Sequence, residues 1–157
     1  MNVTTPPHVA IRAACEEDVP LLLSFIRRLA EYEKLAQEVT ATEEVLRDSF
    51  FGKRTVAEAV FAYAGDAPAG FAVFFHNFST FQGRPGIYLE DLFVDPEYRG
   101  LGIGKALLGH VEGLAREREC GRLQWAVLKW NQSAIDFYEK LGARPLDDWT
   151  IYRLVLE

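Results

Sequence analysis

A glycine-rich turn between an apolar strand and an amphipathic helix is the feature of this sequence that most restricts its fold. Residues 87–94 (IYLEDLFV) are predicted to form a strand, which Asp95-Pro96 ends. The turn follows at 99–105 (RGLGIGK), and a helix is predicted over 105–119. Glycines let backbone amides approach a phosphate closely, and the positive end of the helix dipole attracts it. The segment therefore predicts a phosphate-binding turn, unless its glycines serve only the conformation of a tight connection.

Two common phosphate-binding motifs do not fit this turn. A P-loop in this register needs glycine at position 99 and Ser or Thr at position 106, where the chain has Arg99 and Ala106. A dinucleotide-binding fingerprint that starts at Gly100 needs glycine at position 105, where the chain has Lys105. The turn thus belongs to neither class.

The order of the predicted elements is that of a mixed α/β domain. Strands are predicted at 9–13, 57–63, 70–75, 87–94, 123–128 and 149–156, and helices at about 16–36, 42–50, 105–119 and 131–141. Thr42 and Asn131 are the predicted N-caps of two helices, and Gly52 and Gly142 are their predicted stops. Strand hairpins among the helices indicate a mixed sheet. We predict a flexible tail over residues 1–8 and a single domain over residues 9–157.

Charge and hydropathy exclude several classes of protein. The formal net charge of −6 argues against a nucleic-acid partner, which requires a basic face, and is mildly favourable to cationic substrates. No basic segment followed by an apolar run marks a signal peptide, and no apolar stretch approaches the length of a membrane span. We therefore predict a cytoplasmic protein that does not contact membranes.

The cysteines and histidines show no catalytic or metal-binding pattern. Cys15 and Cys120 lie far apart and form no CxxC pair, so we expect two free thiols. Cys15 precedes a predicted helix, where a thiolate is stabilised, but no histidine base lies near it in the sequence. His8, His76 and His110 lack the spacing of metal ligands, and we expect no metal ion.

Several segments together resemble one enzyme family. Arg99-x-x-Gly102-x-Gly104 after a strand matches the acetyl-CoA pyrophosphate signature of the GNAT superfamily of N-acetyltransferases. Within that superfamily the sequence is similar to the diamine acetyltransferases, which include spermidine/spermine and thialysine acetyltransferases, with the thialysine branch nearest. The segments that carry this likeness are 29–35 (LAEYEKL), 88–91 (YLED), 96–104 (PEYRGLGIG), 126–128 (AVL), 130–132 (WNQ) and 137–138 (FY).

The resemblance implies a fold, a cosubstrate and an assembly. The fold is the GNAT fold, of class α/β (α+β): a central twisted mixed sheet with helices on both faces, splayed at its middle through a bulge in the strand at 87–94. Acetyl-CoA would lie in the opening, its pantetheine arm paired with backbone groups of Leu92 and Val94. A homodimer is expected because the relatives are dimers. The residues expected to hold acetyl-CoA are Leu92, Phe93, Val94, Arg99, Gly100, Leu101, Gly102, Ile103, Gly104, Lys105, Asn131, Ser133 and Ala134.

Acetyl transfer to an amine requires a proton acceptor and a proton donor. An alkyl ammonium with a pKa of about 10.4 is neutral in only about one of 2,500 molecules at pH 7, and only the neutral form attacks a carbonyl. The resemblance assigns Glu90 to binding the amine and relaying its proton through water, and Tyr138 to protonating the leaving thiolate. From the pattern alone, Tyr138 and Phe137 fit core aromatics better, and Glu90 and Asp91 fit a solvated strand end or a salt bridge.

Acidic and aromatic residues within the likeness indicate where a cationic substrate binds. Glu33 continues the apolar stripe of the first helix, so it is either a solvated helix end or an anchor for a distal amine. Lys129 stands where the relatives carry an acid, which predicts weaker binding of long polyamines and favours shorter amines or a lysine-like amino acid. The expected substrate-binding residues are Tyr32, Glu33, Glu90, Asp91 and Trp125.

The predicted function is that of an N-acetyltransferase acting in a ternary complex. It would transfer the acetyl group of acetyl-CoA to a primary amine of a small cationic substrate, namely a diamine, a polyamine or a lysine-like amino acid such as thialysine. Two alternatives stay open: an acetyltransferase for protein lysines or N-termini, and a non-catalytic acyl-CoA-binding regulator. The presence of both Glu90 and Tyr138 argues against the second.

Overall fold

The computed structural model describes residues 8–156, which form two compact units. The first unit ends at Ala126 and the second begins at Val127. Of the tail predicted over residues 1–8, only His8 is among the described residues, and it is exposed. The single domain expected over residues 9–157 stays a prediction.

Among the described residues, the first unit has five strands and three helices. The strands are β1 (Val9–Ala13), β2 (Glu58–Ala64), β3 (Ala67–Ser79), β4 (Arg84–Val94) and β5 (Leu123–Trp125). The helices are α1 (Val19–Tyr32), α2 (Glu43–Phe51) and α3 (Ile103–Glu117), and short 3₁₀ turns lie at Glu16–Asp18, Ala36–Glu38 and Pro96–Tyr98. The second unit contains α4 (Gln132–Lys140). None of the helices within residues 8–156 has the length and apolar character needed to cross a membrane.

Capping residues predicted from the sequence set the ends of α2 and α4. Thr42 precedes α2, and its hydroxyl accepts a hydrogen bond of 3.3 Å from the amide three residues later. Asn131 caps α4 with its side-chain oxygen, which also accepts at 3.3 Å. Gly52 ends α2, and Gly142 follows α4 with a φ of 90°, a conformation that favours glycine. All four predicted signals are confirmed.

The five strands form one mixed sheet in the order β1-β2-β3-β4-β5. Antiparallel pairings join β1 to β2, β2 to β3 and β3 to β4, whereas β5 runs parallel to β4. A parallel pair needs a crossover connection, and α3 provides it between β4 and β5. The predicted mixed sheet is confirmed.

Helices cover both faces of this sheet. On one face α1 and α2 pack against aromatic residues of β3 and β4, Phe71 and Phe93, with Phe25 of α1 fully buried between them. The ring centres of Phe25 and Phe71 lie 5.3 Å apart in a stacked arrangement, and burial of such a side chain contributes about 1.5–3 kcal/mol. On the other face α3 buries Leu107 close to the backbone of Gly70 in β3. The predicted fold class is confirmed.

A β-bulge interrupts β4 at Glu90. In the ladder between β3 and β4, Val73 lies opposite Asp91 and Phe74 lies opposite Leu89, so Glu90 is an extra residue without an opposing partner. The alternation of side chains therefore shifts by one residue at this point. The bulge that the family resemblance implied in this strand is confirmed.

Two predicted strands differ from the structure. The strand predicted over 149–156 is wrong, because residues 150–156 are exposed and form no strand in the described part of the chain. Apolar, aromatic and β-branched residues form a strand only where a neighbouring strand supplies backbone partners. The strand predicted over 123–128 is shorter than expected, since β5 ends at Trp125.

Candidate active site

An open edge of β4 follows the bulge. β5 pairs with β4 only from Ile87 to Leu89, and β4 then continues to Val94 without a partner strand on that side within residues 8–156. The backbone amide of Asp95 donates a hydrogen bond of 2.9 Å to the carbonyl oxygen of Ala69 in β3. Because successive residues of a strand direct their backbone groups to opposite sides, those of Val94 and Leu92 face the open edge.

The glycine-rich turn leads from this edge into α3. Gly100 and Gly102 have φ values of 80° and 79°, in the left-handed region where glycine is favoured. A Cβ atom placed on either residue would have no atom within 4 Å, so open space surrounds the turn. The first hydrogen bond within α3 is donated by Ala106 to Gly102, at 3.0 Å. The amides of residues 103–105 therefore precede the helical ladder and are oriented for an anion.

The chemistry of this turn fits the pyrophosphate of a coenzyme. Free amides at the positive end of a helix attract phosphate oxygens, and Lys105 adds an exposed cation in the first turn of α3. The side chain of Ile103 is buried in the core, so its contribution to such a site is its amide. Phe93 is buried in the same way, on the face of α1. Leu101 and Gly104 lie in the turn and at the start of α3, respectively.

The side chain of Arg99 turns towards α1 rather than towards the glycines. Its guanidinium lies 4.5 Å from the ring centre of Tyr32 and 5.8 Å from that of Phe93. Its Nε–H donates to the carbonyl oxygen of Val94 at 3.1 Å. The guanidinium of Arg99 is therefore engaged with aromatic rings, and its amide donates to the carbonyl oxygen of Pro96 at 3.4 Å.

A second arginine links α1 to the start of the turn. Arg28 of α1 forms an ion pair with Asp95, and its guanidinium lies 4.5 Å from the ring centre of Phe25. It also donates to the hydroxyl of Ser24 at 3.2 Å. No sequence pattern predicted this ion pair, since its members are 67 residues apart. Together, Arg28 and Arg99 fix the turn against the helix that carries Tyr32.

The bulge places two neighbouring carboxylates in different surroundings. Glu90 is exposed, whereas Asp91 is half-buried opposite the apolar Val73 of β3. Burial is the largest cause that raises the pKa of Asp91 to about 7, and the negative charges of Glu90 and Glu33 add to it. Three carboxyl groups from two elements thus lie close enough to influence one another. The salt bridge considered for Asp91 from the sequence is absent among the ion pairs of the described residues.

Glu33 reaches this cluster from the end of α1. It directly follows the last residue of the helix and is half-buried, and burial raises its pKa. The preceding residue, Tyr32, lies with its ring centre 6.2 Å from that of Phe93. A fully solvated helix end would not raise the pKa in this way. The charge of Glu33 in turn contributes to the raised pKa of Asp91, so the two carboxyl groups influence one another.

Tyr88 is a residue of this region that sequence reasoning missed. Its ring lies 5.3 Å from that of Phe75 across the β3–β4 ladder. Burial, and then the charge of Glu90, raises the pKa of its phenol. In the sequence, its position two residues before Glu90 is the feature that could have identified it as part of this region. Trp125, a predicted substrate-binding residue, is half-buried at the end of β5 opposite Leu89.

The second unit carries the remaining predicted residues on and beside α4. Tyr138 is half-buried, with its ring centre 5.4 Å from that of Phe137. Asn131 uses its side-chain oxygen to cap the helix by accepting from the amide of Ala134. Ser133 lies exposed in the first turn. This unit thus presents a phenol and a capped helix N-terminus.

The thiol of Cys15 is in a setting that opposes ionisation. It donates to the carboxylate of Asp18 at 3.2 Å, and this hydrogen bond, followed by one with Glu17, raises its pKa. A thiolate stabilised by a helix start, as considered from the sequence, is therefore not favoured there. Within the described chain, no three Asp, Glu, His or Cys side chains are arranged to hold a metal ion.

Comparison with known proteins identifies relatives over most of the chain. Residues 24–143 match the acetyltransferase (GNAT) family. Thialysine Nε-acetyltransferase from Bos taurus is 40% identical over 156 residues, which cover 92% of this chain and 91% of that protein. L-ornithine N5-acetyltransferase from Arabidopsis thaliana is 30% identical over 189 residues, covering 92% of this chain and 83% of that protein.

A solved structure shows a similar fold. An integron cassette protein from the mobile metagenome of V. cholerae superposes with a TM-score of 0.78 and is 27% identical. The superposition covers 94% of this chain and 92% of the other. The range matched to the family contains the bulge, the glycine-rich turn and α4.

Proposed function

Because this chain belongs to the acetyltransferase (GNAT) family, we propose that it transfers the acetyl group of acetyl-CoA to a primary amine of a small cationic substrate. The substrate would be a diamine, a polyamine or a lysine-like amino acid such as thialysine. Relatives that are named for thialysine and for L-ornithine support this class, since both are amino acids with a second, distal amine.

The cluster of Glu33, Glu90 and Asp91 is the observation that carries the choice of substrate. Burial, and then the negative charges of Glu90 and Glu33, raises the pKa of Asp91, so the three carboxyl groups lie close enough to influence one another. A cation placed among them would relieve the repulsion between them and would be attracted strongly where water is partly excluded. A substrate with two ammonium groups would use Glu90 for the reacting amine and Glu33 for the distal one.

The residues that would hold acetyl-CoA lie along the open edge of β4 and in the turn that follows. Backbone groups of Leu92 and Val94 would pair with the pantetheine arm, and amides from Arg99 to Lys105 would bind the pyrophosphate. The family resemblance adds Asn131, Ser133 and Ala134 of the second unit as further residues proposed to hold acetyl-CoA. When bound, acetyl-CoA supplies the thioester carbonyl that the amine attacks.

The protein's own groups would manage the protons of this reaction. Exposed Glu90 would bind the ammonium group and relay its proton through water. A phenol in water has a pKa of about 10 and is protonated at pH 7. The phenol of Tyr138 would donate its proton to the leaving sulfur. Tyr32, Asp91 and Trp125 would shape the amine site.

Release of free thiol from acetyl-CoA would test this function. The purified protein is incubated with diamines, polyamines, lysine analogues and peptides, and initial rates are compared. We expect turnover with small amines, a kcat at least about 100-fold lower for Tyr138→Phe, and a higher KM for diamines but not for monoamines in Glu33→Gln. The proposal would be rejected if only the peptides were acetylated, or if none of the amines was.

Substitution of Lys129 tests whether this residue sets the preference for short amines over long polyamines. A cation at this exposed position would repel the distal charges of long polyamines. Glu in its place should lower the KM for spermidine while leaving that for a short diamine little changed. An unchanged spermidine KM would remove Lys129 from substrate selection.

Two further properties are carried forward as proposals. We propose a homodimer, following the dimers of the resembling family, and a cytoplasmic location. Analytical ultracentrifugation and cell fractionation measure them directly.

A further inference from the structure

The bulge in β4 gives Glu90 and Asp91 different access to water. Glu90 is exposed and is reachable by a substrate. Asp91 is half-buried and lies opposite the apolar side chain of Val73 in β3. Two carboxylates adjacent in sequence are thus separated into an outer and an inner group.

The charges that act on Asp91 are both negative. Glu90 contributes one from β4 and Glu33 contributes the other from the end of α1, whereas β3 presents the apolar Val73. No cation was found to act on Asp91 among the described residues. Each feature favours a proton on the inner carboxyl group, so this group is a better proton acceptor than an ordinary aspartate.

We infer that Asp91 is the final acceptor of the proton that the substrate's ammonium group loses before it attacks, with Glu90 as the outer relay. This inference rests on the proposed function. An N–H bond of the ammonium group breaks and an O–H bond forms on the Asp91 carboxylate, which leaves a neutral amine. Tyr138 protonates the leaving sulfur to give the thiol, and the proton that the nitrogen loses after attack restores the phenol of Tyr138. Asp91 returns its own proton to water after product release.

The raised pKa of Asp91 makes this transfer much less unfavourable. An amine with a pKa of about 10.4 transfers its proton to a carboxylate of pKa near 7 about a thousandfold more often than to one at the usual 3.8. Asp91 must be ionised to accept the proton. Activity should therefore fall as the pH drops through about 7.

Two diamines that differ only in basicity separate this role from a structural one. One is 1,3-diaminopropane, and the other carries two fluorine atoms on the central carbon, which leave one amino group neutral at pH 7. In Asp91→Asn we expect kcat/KM at pH 7.5 to fall by about 100-fold or more with the first diamine and by less than about fivefold with the second. Glu112→Gln, which removes an exposed carboxylate of α3, is the matched control and should behave as wild type.

The pH profile gives a second, independent readout. With 1,3-diaminopropane the acidic limb of kcat/KM should lie near pH 7 in the wild type, move to lower pH in Glu33→Gln, and vanish in Asp91→Asn. Melting temperature and acetyl-CoA affinity verify that the variants fold. If Asp91→Asn does not fold, the inference is tested by comparing the acidic limbs of kcat/KM in the wild type and in Glu33→Gln.

Three results would overturn the inference while leaving the proposed function intact. These are equal losses with the two diamines in Asp91→Asn, an acidic limb at or below pH 5 in an active wild type, and a limb that Glu33→Gln does not move. If the wild type releases no thiol with any of the amines tested, the proposed function is rejected, and this inference with it.

Discussion

Replacing Asp91 by asparagine is expected to stabilise the folded protein, and increasingly so as the pH rises. The carboxyl group is half-buried near Glu90 and Glu33, and its pKa rises from the usual 3.8 to about 7. A group whose pKa is raised by folding binds its proton more tightly in the folded state, so the folded state loses stability as the pH increases from about 4 to about 7. Asparagine has nearly the same shape but no charge, and it removes this loss.

The size of the effect follows from the interval between the two pKa values. Each pH unit within it is worth about 1.4 kcal/mol, so the interval from 3.8 to about 7 corresponds to at most about 4 kcal/mol. Water that reaches the half-buried group lowers the value, and we expect a gain of about 2–4 kcal/mol at pH 8 relative to pH 4. For a protein of this size the melting temperature should rise by roughly 5–15 °C at pH 8.

Urea unfolding followed by tryptophan fluorescence measures the difference. Wild type, Asp91→Asn and the surface control Glu112→Gln are compared at pH 4 and pH 8, with the slope against urea checked for each. The difference between Asp91→Asn and wild type should grow between the two pH values, and the control should show little change. A difference of the same size at both pH values would refute the claim that folding raises the pKa of Asp91.

Three further substitutions test other parts of the structure. Gly102→Ala forces a side chain into the left-handed region at a φ of 79°, and calorimetry should show an acetyl-CoA affinity at least about tenfold lower, with an unchanged affinity arguing against the turn as its site. Phe25→Ala removes the ring stacked on Phe71 and should lower the free energy of unfolding by about 3–5 kcal/mol in a urea titration; a loss below 1 kcal/mol would contradict the packing described. Glu58→Gln removes the partner of Arg118, whose hydrogen bonds lower the pKa of Glu58, so stability should fall by less than about 1 kcal/mol at pH 7 and the loss should disappear as the pH drops below 4.

The sequence predicted most of the framework because its signals are local. Thr42, Asn131, Gly52 and Gly142 act through groups within a few residues of themselves, so their effects can be derived without a fold. The apolar run of β4 and the glycines after it likewise predicted a strand, a turn and a helix in the observed order. Membership of the acetyltransferase family, inferred from the same segments, is confirmed by the match over residues 24–143.

The parts that were missed depend on residues far apart in the chain. The pair of Arg28 and Asp95 joins positions separated by 67 residues, and the position of the Arg99 guanidinium over Tyr32 depends on how α1 packs. The terminal segment 149–156 is rich in the apolar, aromatic and β-branched residues of a strand but has no partner strand in the described chain. Composition indicates which residues suit a strand, but not whether a neighbouring strand is present.

Glu33 and Asp91 show the same limit within the candidate site. The sequence analysis identified each as an acid in an apolar segment. A solvated helix end for Glu33, and a solvated strand end or a salt bridge for Asp91, were possible interpretations. Only the fold brings the end of α1 to the inner side of β4, where burial raises the pKa of both groups. Their mutual influence is a tertiary property that spacing along the chain does not encode.

The extra residue in β4 also sets how this protein tolerates changes in length. Deleting Glu90 would leave Leu89 opposite Phe74 and Asp91 opposite Val73, so the residues on both sides of the bulge would keep the faces that they have now. A single residue removed or added elsewhere in the strand would instead turn one part of it over and would exchange buried for exposed side chains there, whereas a two-residue change would preserve the pattern. Libraries that permit insertions and deletions should therefore recover folded proteins with changes in the β3–β4 connection or at position 90, and almost none with single-residue changes in the paired stretches beside it.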